Sequence, residues 1–276
     1  MKKIIALISI ILTNVVFTFA TPQRGDRIQW NGNFYRLLPF PLELFEEFEL
    51  TSEKLFGVEE IGYVTDCYRD YQAEWKIIDN ELYLTAIYSC RYFYKGEYGD
   101  SLKSNLQYLF PDRFNNGMVS ADWVSGDFWL SKGEQIFYDH GGIGTIFEKD
   151  VRLTFKKGNL TATQEFNNLE KSKKSLFAED REVLHEFIYS NINWEVLPEL
   201  NDSTIRVFVS FVIRQPGKLQ DVRILRGAGG QFDLEAKRVI SLIPEWTIYF
   251  THGQYYAQSW TLPVIFNEEN RMKYAR

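Results

Sequence analysis

The strongest constraint on the fold lies at residues 205–213, where every second residue is apolar. These alternate residues are Ile205, Val207, Val209, Phe211 and Ile213. Because side chains alternate between the two faces of a strand, this run predicts a strand with one fully buried face. Gln215-Pro216-Gly217-Lys218 then supplies turn residues. Residues 219–225 are predicted to return as a second strand.

Two helical patterns and a further strand surround this hairpin. Residues 176–191 and 232–243 repeat apolar side chains at helical spacing, with Asp233 as a candidate N-cap. Residues 255–266 alternate again and predict the last strand. The order α-β-β-α-β is typical of an α+β unit with a three-stranded antiparallel sheet whose helices cover one face. Residues 267–276 follow as a tail.

The first half of the chain, residues 24–166, reads as a β-rich domain. Turn signals such as Asn31-Gly32, Asp79-Asn80 and Lys157-Gly158 recur about every ten residues. The sequence contains 22 Phe, 16 Tyr and 7 Trp, and such aromatic enrichment favours strands. We therefore expect a meander or a sandwich, interrupted by short helices over residues 41–50 and 100–109.

Residues 167–175 (NNLEKSKKS) have the composition of a linker. Leu169 is the one apolar side chain among them. This predicts two independently folding units, residues 24–166 and 176–266, that limited trypsin digestion would separate.

The N-terminus has the layout of a secretory signal peptide. Met1-Lys2-Lys3 precedes an apolar run over residues 4–20, and the sequence turns polar at Thr21. Cleavage after Ala20 predicts an exported chain without a stable membrane span, and the alternative is a retained anchor. The net charge of −6 without a basic block argues against nucleic acid as a partner.

Export makes a disulfide between Cys67 and Cys90 a candidate. The hairpin register through Asp79-Asn80 places Cys67 opposite Tyr92, two residues from Cys90. Such diagonal neighbours lie about 7–8 Å apart, whereas a disulfide needs Cα atoms within about 6.8 Å. A bulge or a shifted turn would close the gap. The bridge and two free thiols therefore remain alternatives, which mass spectrometry distinguishes.

The best cluster for acid–base or metal chemistry is Asp139-His140 beside Gly141-Gly142, with Glu148 and Asp150 nearby. A metal needs three or four protein ligands, and His140 is the only imidazole in this half. We interpret the cluster as a turn and predict no catalytic residue, no metal and no cofactor. His185 and His252 have no visible partner in the sequence.

Several C-terminal segments together resemble the TonB C-terminal domain family. They occur in the family's order at residues 207–213, 216–219, 222–227, 232–240, 243–246 and 262–266. Trp194 and Pro198 lie where the family often carries Tyr-Pro. The resemblance spans roughly a third of the chain, from 176 to 266. Thr247-Ile248 replaces the family's usual Pro-Gly pair, and the pattern resumes after His252-Gly253.

The resemblance implies a periplasmic protein-interaction module of the Gram-negative envelope and no enzymatic activity. Members of this family grip a short extended segment of outer-membrane receptors and transmit force from an inner-membrane motor. The implied partner is therefore an envelope protein segment, such as that of an outer-membrane receptor, in transmembrane transport. The chain has eight Pro, none clustered, so it lacks the long Pro-rich spacer of a full transducer.

Two other functions stay open at this point. One is a secreted enzyme or ligand-binding protein whose active half is residues 24–166. The other is a TonB energy transducer with an uncleaved anchor, which N-terminal sequencing of the processed protein distinguishes.

Pro263 predicts that the last strand is a sheet edge, because proline cannot donate a ladder hydrogen bond. The resemblance points to the same strand as the docking edge. The predicted partner-binding residues are Tyr255, Tyr256, Ala257, Gln258, Ser259, Trp260 and Thr261. Alternatives are that the tail covers this edge, that it forms a homodimer, or that it is merely solvated. Ile240 and Trp246 are predicted to belong to the core.

Overall fold

The computed structural model describes residues 23–58, 64–93, 101–139 and 144–275. It has mixed α+β structure with two separate hydrophobic cores. The first core draws its residues from Ile28 to Leu160, and the second from Phe177 to Tyr274. The predicted signal peptide, residues 1–20, lies outside the described residues. Within the described ranges, no helix is both long and apolar enough to cross a membrane.

The N-terminal unit contains one large sheet of ten strands. The strands are β1 (Asp26–Trp30), β2 (Asn33–Leu38), β3 (Tyr71–Ile78), β4 (Glu81–Phe93), β5 (Ser101–Lys103), β6 (Phe114–Asn115), β7 (Met118–Ser120), β8 (Gly126–Phe137), β9 (Ile146–Lys156) and β10 (Asn159–Asn167). Their order is β10-β9-β8-β2-β1-β3-β4-β7-β6, and β5 pairs with β4.

This sheet curls back on itself instead of forming the two layers of a sandwich. Asn159 of β10 also pairs with Glu81 of β4, which joins the first strand of this order to a strand six places further along. Bulges interrupt β3–β4 at Glu74/Trp75 and β10–β9 at Leu160/Ala162. Bulges bend strands and increase their twist, so they account for the curvature that an alternation pattern does not reveal.

The two short helices predicted in this unit are wrong in their bounds. Residues 41–50 give only a 3-10 turn, Pro41–Leu44, and a separate helix α1 (Ser52–Phe56) follows. Residues 100–109 give β5 and then α2 (Leu106–Leu109), capped by Asn105. The rings of Phe45, Phe110 and Trp123 pack 4.9–5.8 Å apart. Phe45 of the predicted helix over residues 41–50 therefore belongs to an aromatic cluster and not to a helix.

The structure joins Cys67 and Cys90 in a disulfide, with Cα atoms 6.3 Å apart. The register of the β3–β4 hairpin did not predict this pairing, because Cys67 lies before the start of β3 at Tyr71. Residues 67–70 form turns, with Asp70 at φ 65°. Cys90 donates its backbone N–H to the carbonyl of Asp70, and the turn returns Cys67 to the side of Cys90.

The segment predicted as a bare linker is ordered. It contains helix α3 (Asn168–Lys171), and the buried Asn168 donates its amide to the carbonyl of Phe147 at 3.0 Å. Lys173 pairs with Ile248 in an isolated bridge. The side-chain amide of Asn168 thus ties this segment to the N-terminal unit, and the backbone of Lys173 ties it to the C-terminal unit.

The C-terminal unit has the predicted order of elements with two additions, and the single helix predicted over residues 176–191 is divided at Asp180 into two helices. The elements are α4 (Leu176–Glu179), α5 (Arg181–Ser190), β11 (Ile205–Ile213), β12 (Gln220–Arg226), α6 (Gly230–Ser241), β13 (Phe250–Thr251), β14 (Gln254–Tyr255), β15 (Gln258–Phe266) and α7 (Glu268–Tyr274). The order β12-β11-β15 confirms the separate three-stranded antiparallel sheet.

The core of this unit lies on one face of the sheet. Val207, Val209, Phe211 and Ile213 of β11 are buried there. Ile240 of α6 and Trp246 are buried against them, which confirms both as core residues. Asp233 does not cap α6 at its predicted position; Gly229 occupies the N-cap, and Asp233 accepts from the N–H of Ala228.

The two additions are the β13–β14 hairpin and helix α7. The hairpin stands between α6 and β15 and forms its own two-stranded sheet. The predicted tail contains α7, whose Tyr274 is buried with its ring 5.8 Å from that of Tyr189 on α5.

Candidate functional site

Among the residues that the structure describes, no strand pairs with the outer long side of β15. The strand pairs with β11 without interruption, from Ile205 opposite Phe266 to Ile213 opposite Gln258. Ile265 donates its N–H to the hydroxyl of Tyr189 at 3.0 Å, so its backbone faces away from β11. Since this direction alternates along a strand, the backbone groups of residues 259, 261 and 263 also face outward.

The outward direction explains why the strand accepts Pro263. Pro263 lies opposite Phe208 of β11, but the proline nitrogen faces away from that strand. The missing N–H therefore removes no bond from the ladder. The inference from proline to a sheet edge agrees with the position of β15 at the end of the sheet.

Only one end of this edge is covered. At Ile265 the N–H is bound by Tyr189, and the carbonyl accepts from the side-chain amide of Asn270 at 3.0 Å. Tyr189 belongs to α5, and Asn270 belongs to α7. Toward the start of the strand, Ser259 and Thr261 are exposed. In the described parts of the chain, no hydrogen bond is formed by their outward backbone groups.

Two of the seven predicted partner-binding residues, Ser259 and Thr261, are exposed and have backbone groups that face away from β11. Gln258 and Trp260 lie in the same strand, but their backbone groups face β11, and Gln258 is buried. The Trp260 ring lies 5.4 Å from that of Trp246, so it packs toward the core.

The other three predicted residues lie outside the strand, because β15 begins at Gln258 and not at Tyr255. Tyr255 belongs to β14, and its ring packs 5.3 Å from that of Phe250. Tyr256 donates its N–H to the carbonyl of Tyr249, and its ring lies 6.0 Å from Phe137. Ala257 connects the two strands. These residues belong to the hairpin and its contact with the N-terminal unit.

A cavity of about 470 Å³ lies beside the outer edge of β15. Its walls include Leu184 and Ile188 of α5 and Leu262 of β15. His185 also lines it, with Nδ1 3.4 Å from the Tyr274 hydroxyl. Burial, with a smaller effect of Lys273, lowers the pKa of His185. The lowered pKa favours a neutral ring at pH 7, and the charged side chains of Arg181, Glu269 and Lys273 line other parts of the cavity.

The described carboxylates of the candidate cluster around Asp139, which the sequence analysis interpreted as a turn, bind different partners. Asp139 accepts from the N–H of Gly144 at 3.1 Å and caps its own turn. Asp150 instead binds the β13–β14 hairpin, and His140 lies outside the described residues. Among the residues that the structure describes, no three His, Cys, Asp or Glu side chains are placed to hold a metal.

Asp150 and His252 form a contact between the two units that the sequence did not reveal. Asp150 is buried on the outer side of β9 and accepts from the Thr251 hydroxyl at 2.8 Å and the His252 N–H at 2.9 Å. The His252 ring lies 4.3 Å from that of Trp129 on β8. Burial lowers the pKa of His252, and the nearby Asp150 carboxylate opposes this. The expectation that His252 lacks a partner is wrong.

The tip of the hairpin fits closely against the N-terminal sheet. His252 and Gly253 have φ of 50° and 81°, as a tight two-residue hairpin turn requires. A Cβ atom on Gly253 would lie 3.0 Å from the ring of Phe166. The hairpin leads directly into β15, so the N-terminal unit fixes the position at which the edge strand starts.

Replacing Asp150 with alanine is expected to loosen this contact. The Thr251 hydroxyl and the His252 N–H would each lose a hydrogen bond to a carboxylate, a type of bond that contributes about 1.5–3 kcal/mol. We expect trypsin to cut at Lys171, Lys173 or Lys174 about tenfold faster or more, since cleavage follows local opening. Fragment appearance on gels measures this rate.

The matched control is Asp127→Ala, because Asp127 lies on the same sheet but is exposed. This variant should be cut at the rate of the unchanged protein. Equal rates for Asp150→Ala and the unchanged protein would contradict the assigned role of Asp150.

Comparison with known proteins yields no match to a family model, a curated protein or a solved structure.

Proposed function

We propose that this protein is a periplasmic protein-interaction module of the TonB C-terminal type, without enzymatic activity. It binds an extended segment of an envelope protein by strand addition at β15. The observation that carries the proposal is the uncovered edge at Ser259 and Thr261, whose backbone groups face away from β11. An edge of this kind supplies main-chain hydrogen bonds to an incoming extended segment.

The geometry limits the segment to a short stretch. It runs along β15 from Gln258 and stops before Ile265, where Tyr189 and Asn270 already occupy the backbone groups. Pro263 offers a carbonyl but no N–H. The pairing therefore uses both backbone groups of Ser259 and Thr261, together with the carbonyl of Pro263.

The cavity beside the edge supplies side-chain selectivity. Alternate side chains of an added strand point to the helix side of the sheet, where Leu184, Ile188 and Leu262 line the cavity. An apolar side chain of the segment fits there. Main-chain bonds thus provide the affinity, and this cavity favours an apolar residue at one position.

The N-terminal unit acts as a support in this proposal. It holds the β13–β14 hairpin through Asp150, Trp129 and Phe166. The hairpin positions the start of β15, so the edge is presented in one orientation. This role needs neither a cofactor nor a catalytic group.

A proline at Thr261 tests the proposal. Thr261→Pro removes an outward N–H and leaves the β11 ladder intact, so the fold should be retained while partner capture from periplasmic extract falls at least about tenfold. Capture is measured by quantitative mass spectrometry of co-purifying envelope proteins. Thermal unfolding by circular dichroism checks the fold.

Thr261→Val is the matched control, because it changes the same side chain and keeps the N–H. It should capture the partner as the unchanged chain does. A folded Thr261→Pro variant that still holds the same partner would refute docking at this edge.

A further inference from the structure

The open face of the three-stranded sheet carries three arginines. This face lies opposite the core face, and its rows are set by the strand register. One row contains Arg226, Phe208 and Pro263, and the next contains Arg223, Ser210 and Thr261. Arg206 extends the face beyond Phe208. All three arginines are exposed.

These arginines lack the carboxylate partners found elsewhere in the unit. Arg214, Arg238 and Arg271 pair with Asp221, Glu235 and Glu268. By contrast, Arg206 and Arg226 form no ion pair with any residue of the described chain, and Arg223 donates only to the Ser210 hydroxyl at 3.3 Å. The rows themselves contain no acidic residue. The face is therefore cationic in a chain whose net charge is −6.

The centre of the same face is apolar. Phe208 and Val212 of β11 are half-buried, and Pro263 of β15 is exposed. Hydroxyls of Ser210, Ser259 and Thr261 fill the positions between them. Arginine and aromatic residues around an apolar centre are the composition typical of protein–protein interfaces.

We propose that this face binds an acidic protein surface in which carboxylates surround an apolar side chain. Each guanidinium can hold a carboxylate through two parallel hydrogen bonds, and the apolar partner side chain contacts Phe208 and Val212. Charge complementarity favours an acidic partner, because three arginines without carboxylate partners on one face attract carboxylates and repel basic surfaces.

Two other polyanions fit this face less well. Phe208 is half-buried on the central strand, between Arg226 and Pro263 in its row, and this position disfavours insertion of its ring into a bilayer. A nucleic acid would require more clustered cations along a track than the three present here. The surface is also independent of the proposed edge, because a strand added to β15 would leave the arginines of β12 uncovered.

The test uses the full exported chain and a labelled 12-residue peptide in which glutamates alternate with leucine and phenylalanine. Fluorescence anisotropy at low salt should show saturable binding. Arg223→Glu/Arg226→Glu should weaken it by about tenfold or more. Phe208→Ala should weaken binding of this peptide and leave binding of an all-glutamate peptide unchanged.

Lys156→Glu/Lys237→Glu is the matched control, since it changes the net charge equally at exposed positions off this face. It should keep the affinity. Absence of peptide binding or an equal loss in the control would overturn the proposal. Tighter binding of heparin or phosphatidylglycerol vesicles through the same arginines would also overturn it.

Discussion

Ile240→Ala is expected to lower the free energy of unfolding of the C-terminal unit by about 2–5 kcal/mol. Ile240 lies on α6 with none of its surface exposed, in the core between this helix and the sheet. The truncation removes buried methyl groups and leaves a cavity that the surrounding side chains fill only in part. Urea denaturation followed by circular dichroism measures the change.

Leu234→Ala on the same helix is the control, because Leu234 is 64% exposed. Its effect should stay within about 0.5 kcal/mol. If both variants unfold at the same urea concentration, the helix does not present Ile240 to the core.

Arg69→Ala is expected to destabilise the N-terminal unit by about 3–5 kcal/mol. Arg69 and Asp26 form an ion pair at 3.1 Å that is almost fully buried. Asp26 also accepts from the Trp75 indole and the Ala73 N–H. Removing the guanidinium leaves a buried carboxylate without its cation, and the loss is larger than that of an exposed pair.

The pH dependence of this variant follows from the pKa of Asp26. Burial raises this pKa, and Arg69 lowers it in part. Without Arg69 the pKa rises further, so the folded state of the variant binds a proton that the unfolded state has released. Its stability therefore falls as the pH rises through the interval between the two pKa values. Urea midpoints at pH 5 and pH 8 should show a larger deficit at pH 8.

Arg27→Ala provides the comparison, because Arg27 pairs with Glu74 at 2.8 Å but is half-exposed. It should cost about 1 kcal/mol or less at either pH. A deficit of Arg69→Ala that matches this control at both pH values would contradict the role of the buried pair.

Local patterns in the sequence predicted the strands and turns that depend mainly on residues close by in the chain. The alternation in β11 and the turn residues Asp79-Asn80 each specify their structure through neighbouring residues. Both turn residues have positive φ, 49° and 66°, as a two-residue hairpin requires. Pro263 likewise indicated that β15 lies at a sheet edge. A proline nitrogen has no hydrogen to donate, so it is tolerated where the backbone faces away from the neighbouring strand.

Long-range contacts were not predictable in this way. Asp150 and His252 are 102 residues apart, and nothing in the sequence around either residue indicates the other. The first strand and the turn of the β13–β14 hairpin fall within residues 247–253, where the sequence departs from the predicted family pattern, so that pattern did not indicate the hairpin. Because of this hairpin, β15 begins at Gln258 and not at the predicted Tyr255. Three of the predicted partner-binding residues therefore do not lie on the edge.

The central claim, docking at the edge of β15, is tested most directly by photo-crosslinking in the periplasm. A photoreactive amino acid replaces Ser259 on β15 or Lys237 on α6, which is exposed and lies off both proposed binding surfaces. We predict an adduct with one extended segment of an envelope protein from position 259, none from position 237, and loss of the adduct in Thr261→Pro. Equal adducts from both positions, or an adduct that persists in Thr261→Pro, would contradict the account.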